Sequence, residues 1–198
     1  MEGFKVEELK RSSKPELLDL FTEAFRDGHP LIPALSRKPE ATRKVMKAFL
    51  DFFRSSPKSL IYGIREDGKL VCASVSVDST KEPSMFALIR FIISLCGAIG
   101  WKNAKELETV HKEEPKYEES YLELVLLGTL PSYQRQGYGR KMLRFLYELA
   151  KKEGFKGITL VADKNTPAFH FYQKEGFIVD KECNVCGRTL CWMRLTFQ

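Results

Sequence analysis

The sequence lacks a hydrophobic run long enough to cross a membrane. Its longest apolar stretch, Phe91 to Trp101, is about half of the ~20 residues that a transmembrane helix requires, and Arg90 precedes it directly. The first seven residues also lack the basic, apolar and small-residue regions of a secretory signal peptide. We therefore expect a soluble, cytoplasmic protein with no membrane partner.

Cysteine is sparse and odd in number. The chain has five cysteines, whereas small secreted domains carry an even set that forms a disulfide framework. Cys183 and Cys186, with Cys191 nearby, suggest half of a zinc site, but no second pair follows at the spacing that a metal requires. The sequence therefore predicts reduced thiols and no bound metal.

The composition excludes disorder and low complexity. Hydrophobic residues make up 43% of the 198 residues, and the net charge of +6 is small beside 32 basic and 26 acidic side chains. No internal repeat or linker interrupts the chain. We expect one globular domain over residues 1–198.

The excess positive charge is concentrated in one window. Residues 134–164 hold eight basic and three acidic side chains, so this window carries +5 of the total +6. Such a run is either a solvated helix face or the binding site of an anionic ligand. A nucleic-acid site is a further alternative, but the window lacks aromatic residues interleaved in a pattern suited to base stacking, so we expect no nucleic-acid partner.

Hydrophobic periodicity predicts a mixed order of helices and strands. Helical spacing occurs near residues 17–28, 39–53, 84–100, 142–150 and 166–174. Runs rich in β-formers occupy residues 4–9, 59–64, 70–77, 121–127 and 157–162, and residues 177–182 and 189–196 form a closing hairpin. The run 121–127 is nearly all apolar, which is typical of a central strand covered on both faces. Residues 102–119 are acidic and contain proline, and no element is assigned to them.

A glycine-containing turn follows the predicted central strand. Residues 127–140 read LGTLPSYQRQGYGR and lead into an amphipathic helix. Gly137 and Gly139 allow backbone N–H groups to point into one concavity at a helix N-terminus, where the helix dipole also favours an anion. The turn has neither the Gly-Lys-Ser/Thr of a P-loop nor the third glycine of a dinucleotide fingerprint. It therefore predicts a phosphate cradle of another type.

This Gln-x-x-Gly-x-Gly pattern after a strand and a proline resembles the acetyl-CoA motif of the GNAT-type N-acetyltransferase superfamily. In that family the loop amides hold the CoA pyrophosphate, and the preceding strand pairs with the pantetheine arm. The resemblance implies pantetheine contacts at Leu127 and Thr129, and pyrophosphate contacts at Gln134, Arg135, Gln136, Gly137, Tyr138, Gly139 and Arg140. Arg135 stands where many relatives have glycine, which is compatible with a contact made through the backbone N–H.

A second motif agrees with the first. Residues 165–177, NTPAFHFYQKEGF, match the family pattern Asn-x-x-Ala-x-x-x-Tyr-x-x-x-Gly-Phe. We expect Asn165 to cap a helix, and its distance of seven residues from Tyr172 predicts that both lie on one helix face. The resemblance implies that Asn165 binds the cofactor and that Tyr172 lies near the thioester sulfur and protonates the leaving thiolate.

A finer resemblance covers roughly residues 111–194. The segments 111–115, 127–131 and 188–194 are similar to the layout of puromycin N-acetyltransferase and its relatives. This likeness implies substrate-side structure in the helix near residues 84–100. His111 becomes a candidate for binding substrate or assisting the base, with an ordinary surface histidine as the alternative.

Acetyl transfer from a thioester to an amine requires a neutral amine, a polarised carbonyl and a protonated thiolate. Glu123, an acid in an apolar strand, is the candidate base, acting directly or through water, since burial would raise its pKa. A structural glutamate paired with a lysine or arginine is the alternative. A backbone N–H at Leu127 or Thr129 is the candidate oxyanion donor. Tyr172 is the candidate acid because a tyrosine is protonated at neutral pH, and aromatic packing is its alternative role.

These observations together predict an α/β protein with a GNAT-like acyl-CoA N-acyltransferase fold, in which helices flank a single mixed β-sheet. The implied function is direct transfer of an acetyl group from acetyl-CoA to a primary amine, with a small molecule as acceptor and no metal. A non-catalytic CoA-binding regulatory domain and a protein or peptide N-acetyltransferase remain alternatives. We expect a monomer or a homodimer.

Overall fold

The computed structural model describes residues 5–26, 39–55, 59–80, 84–185 and 187–197. The strands in these residues are β1 (Val6–Glu8), β2 (Leu60–Glu66), β3 (Lys69–Asp78), β4 (Leu122–Thr129), β5 (Gly157–Asp163), β6 (Ile178–Val185) and β7 (Arg188–Thr196). The α-helices are α1 (Lys14–Ala24), α2 (Thr42–Ser55), α3 (Met85–Ile99), α4 (Trp101–Lys112), α5 (Tyr138–Lys152) and α6 (Pro167–Lys174).

The described strands form one seven-stranded sheet in the order β1-β2-β3-β4-β5-β7-β6. Neighbouring strands are antiparallel except β4 and β5, which are parallel. The predicted hairpin between β2 and β3 turns at Asp67 and Gly68, whose φ angles of 49° and 78° are typical of a two-residue type I′ turn. The sheet is therefore mixed, as the sequence predicts.

Helices cover both faces of the sheet because β4 is apolar on both sides. On one face, α1, α2 and α3 bury a cluster that includes Phe21, Phe49 and Val125. On the other face, α5 and α6 bury a second cluster with Leu122 and Leu124. The fourth position of β4 in the sheet confirms the prediction of a central strand.

Helix α4 is the element that sequence reasoning missed. Among its described side chains Val110 alone is buried, so no apolar stripe marks the helix in the sequence. Val110 packs on Val185, Leu190 and Trp192 of the β6–β7 hairpin. The two neighbours of Trp192 in β7 pack under α5 and α6. Side chains alternate between the two faces of a strand, so Trp192 points to the other face. Helix α4, which packs on Trp192, therefore lies on the face that carries α1 to α3.

Three of the predicted features fall on residues that the structure does not describe. The start of the first strand at Phe4 and the end of the first helix at Asp27 and Gly28 lie outside the described residues, as does Cys186.

The described cysteines are free thiols: Cys72, Cys96, Cys183 and Cys191. No cluster of three or more His, Cys, Asp and Glu side chains in the described ranges could hold a metal ion. Within those ranges, too, every helix is too short or too polar to cross a lipid bilayer.

The close approach of β5 and β7 gives a prediction for stability. A Cβ atom at Gly157 would lie 2.0 Å from the backbone oxygen of Leu195, whereas a Cβ atom at Gly97 in α3 would meet nothing within 4 Å. Gly157→Ala should lower the free energy of unfolding by at least about 2 kcal/mol through overpacking. Gly97→Ala should raise it by roughly 0.5–1 kcal/mol, as expected for a helix interior. Urea unfolding of both variants checks this, and equal stabilities would contradict so close an approach of the two backbones.

Candidate active site

A gap opens in the sheet between its two parallel strands. Strands β4 and β5 pair only at Leu122 with Ile158 and at Glu123 with Thr159. Beyond these two pairs, no residue of β4 is paired with a residue of β5. The edge of β4 that faces β5 is therefore open from Leu124 to Thr129.

A β-bulge lies at the point where β4 separates from β5. The register of β3 with β4 shifts because Val75 pairs with Leu126 and Ser76 pairs with Leu124, so Val125 is the extra residue. Val125 and Leu126 consequently both pack into the cluster under α1 to α3. Strand β4 is thereby bent as it enters the gap.

The open edge of β4 presents the peptide groups of Leu127 and Thr129. The N–H of Leu130 donates to the carbonyl of Val71 at 2.9 Å, so the even-numbered residues at this end of β4 bond to β3. The N–H and C=O groups of Leu127 and Thr129 must then point to the opposite edge, into the gap. The side-chain amide of Gln134, which donates to the Thr129 carbonyl at 3.2 Å, agrees with this direction.

The loop after β4 forms a cradle at the start of α5. A short 3₁₀ turn at 131–133 leads to Arg135 and Gly137, whose φ angles of 62° and 90° both lie in the left-handed region. The loop surrounds a cavity of about 300 Å³. Its lining residues are Thr129, Tyr133, Gln134, Arg135, Gly137, Tyr138, Gly139, Arg140 and Phe171.

Side chains of the loop hold its own backbone in place. The Gln136 amide donates to the Ser132 carbonyl at 3.0 Å, in the same way that Gln134 is bonded to Thr129. Tyr138 is buried, and its hydroxyl is hydrogen-bonded to Glu66 at the end of β2. The glutamine side chains therefore stabilise the loop by bonding its backbone carbonyls.

An ion pair joins the cradle to α6. The Arg140 guanidinium, in the first turn of α5, donates through Nε to Glu175 Oε1 at 2.6 Å, just past the end of α6. Gly139 also lies under Phe171, since a Cβ atom there would be 3.9 Å from the ring carbon Cζ. The start of α5 and the helix that carries Tyr172 are thus directly connected.

Tyr172 lies on the α5 and α6 face near the end of β4. It is half-buried between the rings of Phe171 and Phe177, with ring centroids at 5.2 and 5.6 Å. Burial, with a smaller effect of the nearby Cys72 thiol, raises its pKa well above the ordinary value of a phenol. Thr129 donates to that thiol at 3.3 Å, which places Tyr172 close to the open edge. No described residue accepts or donates a hydrogen bond at the Tyr172 hydroxyl.

Asn165 does not cap α6. The helix begins at Pro167 with Thr166 as its N-cap residue, and Asn165 is exposed in the preceding turn, where its N–H donates to Asp163 Oδ1 at 3.0 Å. The expectation that helical spacing aligns Asn165 with Tyr172 is therefore wrong, because Asn165 lies outside the helix. Buried Asp163, paired with Arg188, fixes this turn instead.

Glu123 lies on the face opposite Tyr172. Leu122 and Leu124 pack under α5, so alternation points Glu123 toward the face that carries α4. Burial, with a smaller repulsion from Glu114, raises the pKa of the Glu123 carboxyl to about 8. None of the described lysines or arginines pairs with Glu123. The alternative of a structural glutamate in an ion pair is thus not observed.

His111 lies at the end of α4, away from the cradle. Its side chain is 81% exposed, and its Nδ1 atom is 3.0 Å from Glu114 Oε2. Glu114 in turn is near enough to Glu123 to raise its pKa. His111 therefore reaches the surroundings of Glu123 only through a second acid.

The structure brings together most, but not all, of the residues expected from the sequence. The predicted residues Thr129, Gln134, Arg135, Gly137, Tyr138, Gly139 and Arg140 line the cavity, whereas Leu127, Gln136, Asn165, Tyr172, Glu123 and His111 lie outside its lining. Tyr133 and Phe171 line it and were not predicted. No local pattern marks Phe171, because its position against Gly139 depends on how α5 and α6 pack.

Comparison with known proteins agrees with this architecture. A model of the Acetyltransferase (GNAT) family matches residues 15–177. Arylalkylamine N-acetyltransferase 2 from Aedes aegypti aligns with a TM-score of 0.71 at 13% identity, over 100% of both chains. PaiA N-acetyltransferase from Thermoplasma acidophilum, solved in complex with coenzyme A, aligns with a TM-score of 0.59 at 15% identity, over 98% of this chain and 99% of that chain. At these identities the similarity concerns the fold.

A local sequence similarity points to another group of acetyltransferases. Histone acetyltransferase of the MYST family 2 from Arabidopsis thaliana is 52% identical over 42 residues, which are 21% of this chain and 9% of that protein. The chain thus matches about a tenth of that relative's length. The similarity to puromycin N-acetyltransferase stays a prediction. Since the family model covers most of the chain and the mixed sheet has the predicted fold, the chain belongs to the Acetyltransferase (GNAT) family.

Proposed function

We propose that the chain transfers the acetyl group of acetyl-CoA directly to a primary amine of a small molecule. The observation that carries this proposal is the open edge of β4, which Tyr172 and Glu123 approach from opposite faces of the sheet. One face would then receive the thioester and the other the amine. Such an arrangement allows a proton donor and a proton acceptor to act on the same bond exchange.

The residues around the cavity fit the phosphates of the co-substrate. The N–H groups of residues 135–139 lie at the N-terminus of α5, where the helix dipole favours an anion, and Arg135 adds a cationic side chain. The space beside Gly137 is open, since no atom lies within 4 Å of a Cβ built there. Leu127 and Thr129 would bond the pantetheine amides, and exposed Asn165 would add a contact. Bound acetyl-CoA supplies an acetyl thioester with an electrophilic carbonyl.

Tyr172 is proposed as the general acid. Burial keeps its phenol protonated at neutral pH, and no described partner competes for its hydroxyl. Its Oη–H would donate a proton to the sulfur as the C–S bond breaks. The N–H of Leu127 or Thr129, which points into the gap, would stabilise the negative charge on the carbonyl oxygen.

Glu123 is proposed as the general base. With its pKa raised to about 8, the carboxylate is basic enough to take a proton from the acceptor nitrogen as the C–N bond forms. A water molecule could carry the proton between them. His111, bonded to Glu114, is a proposed substrate contact at the outer end of this region.

A small-molecule acceptor is favoured over a basic peptide by the charges on the acceptor face. Two of the four acids in the loop after α4 are paired with cations, Glu113 with Lys181 and Glu119 with Lys156. The chain also has a net charge of +6, which opposes the approach of a lysine-rich peptide. The likeness to puromycin N-acetyltransferase supports an amine of the antibiotic type.

A peptide acceptor is the second candidate. It is supported by the local similarity to the histone acetyltransferase, which covers 21% of this chain. The cytoplasmic location inferred from the odd cysteine count stays a prediction for either acceptor.

The glycine of the cradle can be tested against a matched glycine at the other end of α5. Gly137 and Gly154 have φ angles of 90° and 81°, and a Cβ atom at either would meet nothing within 4 Å. Replacing either residue with alanine should cost about 1–2 kcal/mol of stability from the left-handed backbone. Only Gly137→Ala should also raise the Kd of acetyl-CoA, by about tenfold, because the N–H groups of the loop would be re-aimed. Calorimetric titration of both variants measures this, and equal Kd values would contradict the assignment of the cradle.

The acceptor can be tested by acetyl-CoA-dependent thiol release against puromycin, polyamines, amino acids and a lysine-containing peptide. We expect turnover of a small amine, and a kcat about a hundredfold lower in Tyr172→Phe at unchanged acetyl-CoA affinity. Tyr147→Phe on α5, where the ring packs on Phe197 far from the gap, is the control and should keep full activity. Turnover of the peptide alone would favour the second candidate. Stabilisation by acetyl-CoA with no turnover of any amine would contradict the small-molecule proposal.

The raised pKa of Glu123 predicts the pH profile. The base must be deprotonated, so kcat/KM should rise with pH through about 8, with an acceptor whose amine titrates well outside this range. Glu123→Gln should lower the rate about a hundredfold and abolish this limb of the profile. Glu148→Gln, an exposed acid on α5, should leave the profile unchanged. A wild-type limb that survives in Glu123→Gln would exclude Glu123 as the base.

A further inference from the structure

One face of α3 and the first residue of α4 form a large exposed apolar surface, here called the α3 face. Its members are between 40% and 77% exposed: Met85, Phe86, Leu88, Ile89, Ile92, Ile93 and Trp101. Only one other large hydrophobic residue in the described ranges is exposed, Ile178 on β6. Contiguous apolar surfaces of this kind on soluble proteins mark interaction sites.

The packing of the domain does not require the α3 face. Helix α3 has a separate buried stripe of Phe91, Leu95 and Ile99. Phe91 packs against Phe49 and Phe52 of α2, with ring centroids at 5.0 and 4.7 Å. The helix is therefore apolar on both sides, although only one side contributes to the core.

The rim of the α3 face is positively charged. Residues 84–105 contain no aspartate or glutamate. Arg90, Lys102 and Lys105 are exposed, and two of them lie over aromatic rings of the face, Arg90 over Phe86 and Lys105 over Trp101. Apolar side chains that include phenylalanine and tryptophan, flanked by basic residues, are typical of helices that lie in a membrane interface.

We propose that the α3 face docks on an anionic lipid surface. The apolar side chains would enter the boundary between headgroups and acyl chains, and the basic rim would bind the anionic headgroups. The sequence excludes a membrane-crossing helix because the apolar run is too short, but a helix lying in the plane of the interface needs no such length. The expectation of no membrane partner thus rests on a criterion that applies only to crossing.

The charge pattern favours lipid over a second copy of the chain. A two-fold interface brings the same surface patch of each copy together, so the basic rims of both copies would lie in one interface, where residues 84–105 supply no acid. Glu108, which is near Lys105, is already paired with Lys112. An anionic lipid surface instead offers a charge opposite to the rim.

Sedimentation with lipid vesicles tests the proposal on the full chain. We expect binding to vesicles of phosphatidylcholine mixed equally with phosphatidylglycerol, and much weaker binding to phosphatidylcholine alone. The double variant Ile89→Ser with Ile93→Ser should lower the partition coefficient by at least about tenfold, because each CH₂ withdrawn from lipid costs a factor of about four. Ile178→Ser, at the exposed isoleucine outside the α3 face, is the matched control and should bind as the wild type does. Thermal unfolding of all variants verifies that they fold.

The contribution of the basic rim and the insertion of Trp101 into the lipid are measured separately. Lys102→Glu with Lys105→Glu should reduce binding to the anionic vesicles, and raised salt should do the same to the wild type. Binding should shift the tryptophan emission to shorter wavelength, and Trp101→Phe should remove this shift because Trp192 is already buried. Vesicle binding that is equal in the wild type and the double isoleucine variant would overturn the proposal. So would absence of vesicle binding together with a dimer, measured by light scattering, that the double isoleucine variant disrupts.

Discussion

The unpaired edge of β4 is the constraint on which the site depends. A buried N–H or C=O group without a partner costs about 1–3 kcal/mol, so a sheet does not normally part in its middle. Here β4 and β5 separate after two residue pairs, and Gln134 satisfies only the Thr129 carbonyl. An extended ligand with amides of its own would pair the remaining groups of the edge. Binding such a ligand adds a strand in the gap, which provides both affinity and alignment.

Two local features shape the gap: the bulge in β4 and the strained turn in the loop that follows it. The bulge at Val125 places two successive apolar side chains under α1 to α3 and bends the strand at the point where β4 and β5 separate. In the loop, Arg135 holds a left-handed φ of 62° that an arginine adopts at a cost of roughly 1 kcal/mol. Glycine would avoid this cost. The Gln136 to Ser132 hydrogen bond holds the strained turn.

How much the sequence could predict depended on whether a feature was local. The hairpin at Asp67 and Gly68, the apolar run of β4 and the glycines of the cradle carry their own signals in neighbouring residues, and the structure has all three. Helix α4 was missed because its contact through Val110 is made with a hairpin that follows it by many residues. Asn165 was misassigned as a helix cap because buried Asp163 organises the turn. The bulge, the gap and the place of Phe171 arise from packing between elements, which no window of sequence reports.

The positive window of residues 134–164 shows why a count of charges is a weak guide to a ligand site. Three of its eight basic residues are bound to acids elsewhere: Arg140 to Glu175, Lys156 to Glu119 and Lys164 to Glu182. Lys151 lies over the rings of Tyr147 and Phe197. Of the eight, only Arg135 and Arg140 line the cavity, and Arg140 is already paired. We therefore expect the anion binding proposed for the cradle to rest mainly on oriented backbone N–H groups and the dipole of α5, with Arg135 as its main side-chain cation.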